Sequence, residues 1–211
     1  MLPTLPKQNR LDIIAIGASA GGVEAVSNLL SLLPYDLAAA VLVVVHRDPE
    51  RPSALLSILS RKGHLNVIVP KDGDRLDYGV CFLGKPDEHL TVGPGLQVHL
   101  MPDHFYRSHN IDALFNSLAR NAGIRTIGIV LSGLLKDGTQ GLKAIREAGG
   151  MAFVQSIEEA AYQDMPRNAI KHDGAIDLIG PISRIASEIT RRSGRLRSAP
   201  ALQPNLKSDQ A

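Results

Sequence analysis

Three apolar runs limit what this chain can fold into, because a polar residue comes at or shortly after the end of each and each belongs to a repeating pattern of strand, turn and helix. Ile13-Ile14-Ala15-Ile16 leads to Ser19, Val41-Leu42-Val43-Val44-Val45 to His46, and Ile127-Gly128-Ile129-Val130-Leu131 to Asp137. In an open parallel α/β sheet the carboxyl ends of the strands share one edge, so residues far apart in sequence meet there in one crevice. A hydroxyl, an imidazole and a carboxylate are the set that acyl transfer needs.

The rest of the chain keeps the same rhythm. A helical pattern follows Gly21-Gly22 through about Leu33 and is stopped by Pro34. A strand at 38–45 and an amphipathic helix at 52–61 repeat the unit, and short strands are expected at 66–69 and 80–83. Two alternating runs, 90–92 and 96–100, flank Gly93-Pro94-Gly95 as an antiparallel hairpin. A helix at 111–122, a strand at 126–131, a helix at 138–148, a strand at 151–154 and a last strand and helix after Ala175 complete the order. Alternating elements predict a doubly wound, mostly parallel α/β sheet with helices on both faces and one short antiparallel hairpin. At 211 residues one domain is expected, over 12–193, with a lead at 1–11 and a disordered basic tail at 194–211.

Charge narrows the partners. The net charge of +2 comes from the six basic residues after position 183, and residues 1–183 carry a net of −2, so the body has no nucleic-acid footprint. Cys81 is the single cysteine, which excludes an intrachain disulfide, and its apolar surroundings fit a small buried side chain. The start lacks the apolar core of a secretion signal, and the longest apolar run, 37–45, is half of the roughly 20 residues a spanning helix needs. These features predict a cytoplasmic protein without membrane insertion.

Gly17-Ala18-Ser19-Ala20-Gly21 satisfies G-x-S-x-G, whose glycines permit a sharp strand-to-helix turn that lifts a serine clear of the sheet. The rival reading is a dinucleotide-binding turn, which this segment matches at Gly17 and Gly22 but not at Ser19. Such a site wants an acidic residue at the end of the second strand, and here that place is His46. Each polar residue also has a plainer use. His46 can be a structural residue in a surface turn with Arg47 and Asp48, and Asp137 can be the N-cap of a helix that starts at Gly138. His64, His89, His99, His104, His109 and His172 form no metal-ligand spacing, so no metal or cofactor is expected. The order Ser, His, Asp along the chain differs from the Ser, Asp, His order of α/β-hydrolases and disfavours that fold.

The chain resembles the catalytic domain of the chemoreceptor protein-glutamate methylesterases, the CheB family, over roughly Asp12 to Ile189. The resemblance rests on Ile16-Gly17-Ala18-Ser19-Ala20-Gly21-Gly22, on His46, on Asp72-Gly73-Asp74-Arg75-Leu76, on 132–138 with Gly141-Leu142 and Ala148-Gly149-Gly150, and on Met165-Pro166-Arg167-Asn168-Ala169-Ile170. It implies a Rossmann-like fold, Ser19 as nucleophile, His46 as base, Asp137 as carboxylate, and the Ala20 and Leu134 amides as oxyanion donors. Arg107, in Arg107-Ser108-His109-Asn110-Ile111-Asp112, resembles a substrate-binding approach near the active face, where Asn110 serves equally as a helix cap. The activity implied is hydrolysis of glutamate methyl esters on the cytoplasmic helices of chemotaxis receptors, and deamidation of receptor glutamines. The partners implied are the methylated receptor and a separate regulator.

Two departures from the family pattern stand out. Only about eleven residues precede the first strand, so the family's N-terminal receiver domain and its phosphorylation switch are not expected in this chain, which would act alone and constitutively. Leu135 occupies a position where the family often has glycine, and a branched side chain there is expected to force the loop onto another path or narrow the crevice. The alternative to an active esterase is a weak or inactive binding module in a signalling complex.

Overall fold

The computed structural model describes residues 11–50, 53–102, 109–172 and 176–196. Its elements run β1 (Asp12–Ala18), α1 (Gly22–Leu32), β2 (Ala39–Val45), α2 (Leu55–Lys62), β3 (Asn66–Ile68), β4 (Val80–Leu83), β5 (Glu88–Val92) and β6 (Val98–Pro102). They continue with α3 (Asn110–Asn121), β7 (Thr126–Val130), α4 (Thr139–Glu147), β8 (Met151–Gln155), α5 (Asp164–Lys171), β9 (Leu178–Gly180) and α6 (Ile182–Ser193). Seven strands form one sheet in the order β3-β4-β2-β1-β7-β8-β9, with every neighbouring pair parallel. Strands β5 and β6 form a separate antiparallel ribbon.

The apolar runs are continuous because the central strands are covered on both faces. All seven residues of β2 are buried, and so is every β1 residue after Asp12. Alternate side chains serve opposite layers. Ile14, Ile16, Val41 and Val43 pack with α1, α2 and α6, whereas Ile13, Ala15, Leu42 and Val44 pack with α3, α4, α5 and the β5–β6 ribbon. Burying a Val, Leu or Ile side chain contributes about 1.5–3 kcal/mol, so this double-sided core is what sets the register of β1 between its neighbours.

That register decides where the crevice lies. From β1 the chain goes to β2 on one side, and it returns to the other edge of β1 only as β7, pairing Ile16 with Ile129 and Gly17 with Val130. The strand order therefore reverses at β1, which is where ligands bind in open α/β sheets.

Several boundaries differ from the sequence expectation. The hairpin pairs Val92 with Val98, and Leu96, expected in the second strand, belongs to the connecting turn with φ 59°. Helix α5 was not expected at all. Its segment, Asp-Met-Pro-Arg-Asn-Ala-Ile-Lys, buries only Met165, Pro166 and Ala169, too few apolar positions for a visible period. The expected tail begins with residues that are tied down. Ala38 N–H donates to the Gly194 carbonyl at 3.2 Å, Leu196 N–H donates to the Asp36 carbonyl at 2.8 Å, and Arg195 Nε lies 3.6 Å from Asp36 Oδ1. The remainder of the tail, from 197 on, and the lead at 1–10 lie outside the described residues.

Candidate active site

At the carboxyl end of β1 the chain turns through Ala18-Ser19-Ala20-Gly21 into α1. Gly21 takes the left-handed step, with φ 71°, at the N-terminus of α1, so a Cβ there is disfavoured on conformation alone. A Cβ at Gly21 would also lie 2.7 Å from Ser132 Oγ. Ser19 itself is not among the described residues with positive φ, so the glycine carries the sharp turn and the serine needs no strained backbone.

The three strand ends are stitched together through main-chain groups. Leu131 N–H donates to the Gly17 carbonyl and Ser19 N–H to the Ser132 carbonyl, both at 3.0 Å, which fixes the end of β7 against the end of β1. His46 N–H donates to the Ala18 carbonyl at 3.0 Å, which fixes the end of β2 on the other side. Ser19 and His46 are thereby held on adjoining backbones. Among the described residues, the Ser19 hydroxyl makes no hydrogen bond, to His46 or to any other group.

Asp137 is the most constrained of the three expected site residues. It is 3% exposed, and its Oδ2 accepts from His46 Nε2 at 2.8 Å. The same oxygen accepts from Ile111 N–H at 2.9 Å, and Oδ1 accepts from Asp112 N–H at 3.0 Å and Gly138 N–H at 2.8 Å. The sequence suggested that Asp137 caps the helix that follows it. Instead Gly138, with φ 89°, is the N-cap of α4, and the Asp137 carboxylate satisfies the first free amides of α3, a helix that begins 27 residues earlier. Asn110 does not cap α3 either, since its Oδ1 is buried without a partner. The α3 dipole adds to the attraction, because its positive end faces the carboxylate. Burial pushes the Asp137 carboxyl up, but the hydrogen bonds from His46, Ile111 and Asp112 outweigh it and hold the group below the usual carboxylate range. An ionised Asp137 keeps the proton on His46 Nε2 and leaves Nδ1 as the basic nitrogen.

Two further loops complete the crevice. Gly133 sits where a Cβ would lie 2.1 Å from Met165 Sδ and 2.9 Å from Ser19 Cβ, so only glycine lets the 132–135 loop approach the serine. The expected oxyanion amides belong to Ala20, which follows Ser19, and to Leu134, which follows Gly133, and neither donates to a protein acceptor among the described residues. Leu135 adopts φ 66° and is 72% exposed. The expectation of another loop path or a narrowed crevice assumed that a branched residue avoids positive φ, and that premise fails: the leucine adopts the left-handed conformation, and Asn168 Nδ2 holds its carbonyl at 2.6 Å.

The sequence did not single out Ser132, Gln155, Met165 or Asn168 for the site. Ser132 Oγ donates to the Ala20 carbonyl at 2.9 Å and accepts from Tyr162 N–H at 3.0 Å, while Ser132 N–H donates to Gln155 Oε1 at 2.9 Å. Ser132, Gln155 and Met165 are buried and Asn168 is partly exposed, and their scatter over the loop after β7, β8 and α5 forms no local pattern. Arg107 lies outside the described residues. Arg47 donates through Nη1 to Ser53 Oγ at 3.0 Å and through Nη2 to the Gly84 carbonyl, which anchors the turn after His46.

His109, Asp112 and Asp137 place ligand atoms within 4.8 Å of one another, a grouping that sequence spacing did not anticipate. Both Asp137 oxygens are engaged by amides and His46, and Asp112 Oδ1 accepts from Gly141 N–H at 2.6 Å. The donors left for a cation are too few for a closed metal site.

Fold and site together define the class: a doubly wound α/β domain whose chemistry-bearing side chains gather at the switch point of a parallel sheet. The family model described as CheB methylesterase matches residues 14–189, and the chain belongs to that family. It is 34% identical over 195 residues to "Protein-glutamate methylesterase/protein-glutamine glutaminase 2" of Pseudomonas aeruginosa, covering 90% of this chain and 55% of that protein. It is 36% identical over 179 residues to a protein of the same printed name from Burkholderia orbicola, covering 84% of this chain and 53% of that one. The chain thus spans about half the length of these curated relatives. The crystal structure of the Thermotoga maritima CheB methylesterase catalytic domain superposes with a TM-score of 0.80 at 25% identity, covering 87% of this chain and all of that one. The doubly wound fold expected from the sequence is the fold of that domain. Among the described residues, no helix is long and apolar enough to cross a membrane.

Proposed function

We propose that this chain hydrolyses methyl esters of modified glutamates on chemotaxis receptors, and deamidates receptor glutamines, through Ser19, His46 and Asp137. The observation that carries the reading is the 2.8 Å bond from His46 Nε2 to the buried Asp137 carboxylate, one backbone hydrogen bond away from the Ser19 turn. The names of the relatives supply the substrate class.

In this reading Ser19 Oγ attacks the glutamyl carbonyl as its proton passes to His46 Nδ1. The Ala20 and Leu134 amides take the developing oxyanion, and each such donor contributes on the order of 10²–10³ in rate. Collapse of the tetrahedral species expels methanol from an ester, or ammonia from an amide, with the proton returned from Nδ1. Water then attacks the acyl-serine by the same route. Asp137 stays ionised throughout, orients the ring and balances the imidazolium charge.

The test is methanol release from methylated receptor, with fluorophosphonate labelling as a receptor-free readout. Ser19→Ala is expected to abolish both while leaving the melting temperature within a few degrees. Wild-type turnover by folded Ser19→Ala protein would overturn the mechanism. A folded wild-type chain that neither labels nor turns over would leave a receptor-docking module as the reading.

A further inference from the structure

Two helices, α3 and α4, meet N-terminus to N-terminus beside the site, and each is capped by a carboxylate that belongs to the other side. Asp137, just before α4, accepts from the Ile111 and Asp112 amides of α3 at 2.9 and 3.0 Å. Asp112, in the first turn of α3, accepts in return from the Gly141 amide of α4 at 2.6 Å. The side chain of Asp112 is only 13% exposed, and the titratable groups that face it are Asp137 and His109 among the described residues. His109 Nδ1 lies 3.9 Å from Asp112 Oδ2 and 4.0 Å from Asp137 Oδ1.

We infer that Asp112 is a positioning residue for the His46–Asp137 pair: the reciprocal cap fixes the carboxylate that His46 faces, and the second carboxyl sets the charge of its surroundings. Without the Gly141 bond the starts of α3 and α4 would be joined through the Asp137 carboxylate alone, and any shift between the two helices would be passed to its bond with His46 Nε2. Burial, and after it the charge of Asp137, push the Asp112 carboxyl up to about 6, against the pull of the Gly141 amide. Asp112 therefore changes charge close to neutral pH, beside the pair that it holds. Above that range an anionic Asp112 adds to the field that favours a protonated His46, and below it a neutral Asp112 adds nothing.

The inference rests on the proposed triad, and its test separates the two. Asp112→Asn keeps an acceptor for the Gly141 amide and removes the charge, whereas Asp112→Ala removes both. For Asp112→Ala the expected result is a tenfold or greater loss in kcat with KM within twofold. For Asp112→Asn it is a kcat within about threefold of wild type and an acid limb of kcat/KM moved to lower pH. The hydrogen-bonded His46 Nε2 proton should also shift or broaden in the proton NMR spectrum of free Asp112→Ala protein, a readout independent of turnover. Wild-type kcat in folded Asp112→Ala protein, or an unmoved pH profile in Asp112→Asn, would overturn the positioning role. If the wild-type chain shows no Ser19-dependent turnover, the triad reading fails instead, and the NMR signature still decides whether Asp112 holds the His46–Asp137 bond.

Discussion

Replacing Asp137 should cost the protein its stability as well as its activity, by an amount that depends on pH. In Asp137→Ala the Ile111, Asp112 and Gly138 amides lose their acceptor where two helices start, and His46 loses its anchor. Each unsatisfied buried donor costs about 1–3 kcal/mol, so three of them give roughly 3–9 kcal/mol before relaxation and rehydration, which return much of it. Part of this is returned by Asp112, whose carboxyl is raised to about 6 by burial and by facing Asp137. A raised carboxyl penalises the folded state at pH above its folded pKa and not below its unfolded value near 4. The whole elevation, about 2 units, corresponds to roughly 3 kcal/mol, of which burial supplies one share and Asp137 another. At pH 8 removal of Asp137 relieves that share, while at pH 5 there is little to relieve. Asp137 itself, held below the usual range, is ionised at both. We expect Asp137→Ala to lose about 2–4 kcal/mol at pH 8 and about 1 kcal/mol more at pH 5. At about 2–4 °C per kcal/mol for a chain of this size, the pH 8 loss is a Tm drop of roughly 4–16 °C. Thermal melts of both proteins at the two pH values measure it. A Tm within 2 °C of wild type, or a deficit that grows from pH 5 to pH 8, would refute the account of Asp137 as the shared cap.

Other outcomes follow from single contacts. Asp137→Asn should lower kcat by about 10²–10⁴ because an amide favours the wrong imidazole tautomer, as pre-steady-state assays on methylated receptor would register. Leu135→Gly should leave stability unchanged or raise it by up to about 1 kcal/mol in urea unfolding, since relief of a left-handed non-glycine residue exceeds the added chain entropy. Gly133→Ala should cut kcat at least tenfold, because the new Cβ meets both Met165 Sδ and Ser19 Cβ; in the double variant Met165→Ala/Gly133→Ala stability should recover more than activity. Cys81, fully buried with its thiol pushed up to about 12 by burial, should react with a thiol-specific chromophore only at the rate of unfolding.

The parts of the fold that could be read from sequence are those determined by burial on both faces. Runs such as Val41–Val45 announce central strands, and the residue after each run announces the crevice. The uses of those residues were less visible. Asp137 looked like a local cap, yet its partners Ile111 and Asp112 lie 26 and 25 positions away, and no local pattern encodes that choice. Helix α5 was hidden because its contribution is one methionine over Gly133 and one asparagine on the Leu135 carbonyl, and neither makes a periodic signal. Leu135 misled because its strain is tolerated by the surrounding structure, which no residue-level preference reveals.

The place of β1 in the sheet has a consequence for how the chain is made. Its partner on one side, β2, is separated from it by 20 residues, but the strand on the other side, β7, does not start until Thr126. At about 5–20 residues per second, that second edge waits on the order of 5–20 s for its partner to be synthesised. For that interval a strand buried from Ile13 to Ala18 in the finished fold has an open edge, the kind that recruits other chains. The crevice then forms late and at once, because the strand that closes the edge also brings in the loop that bears the carboxylate.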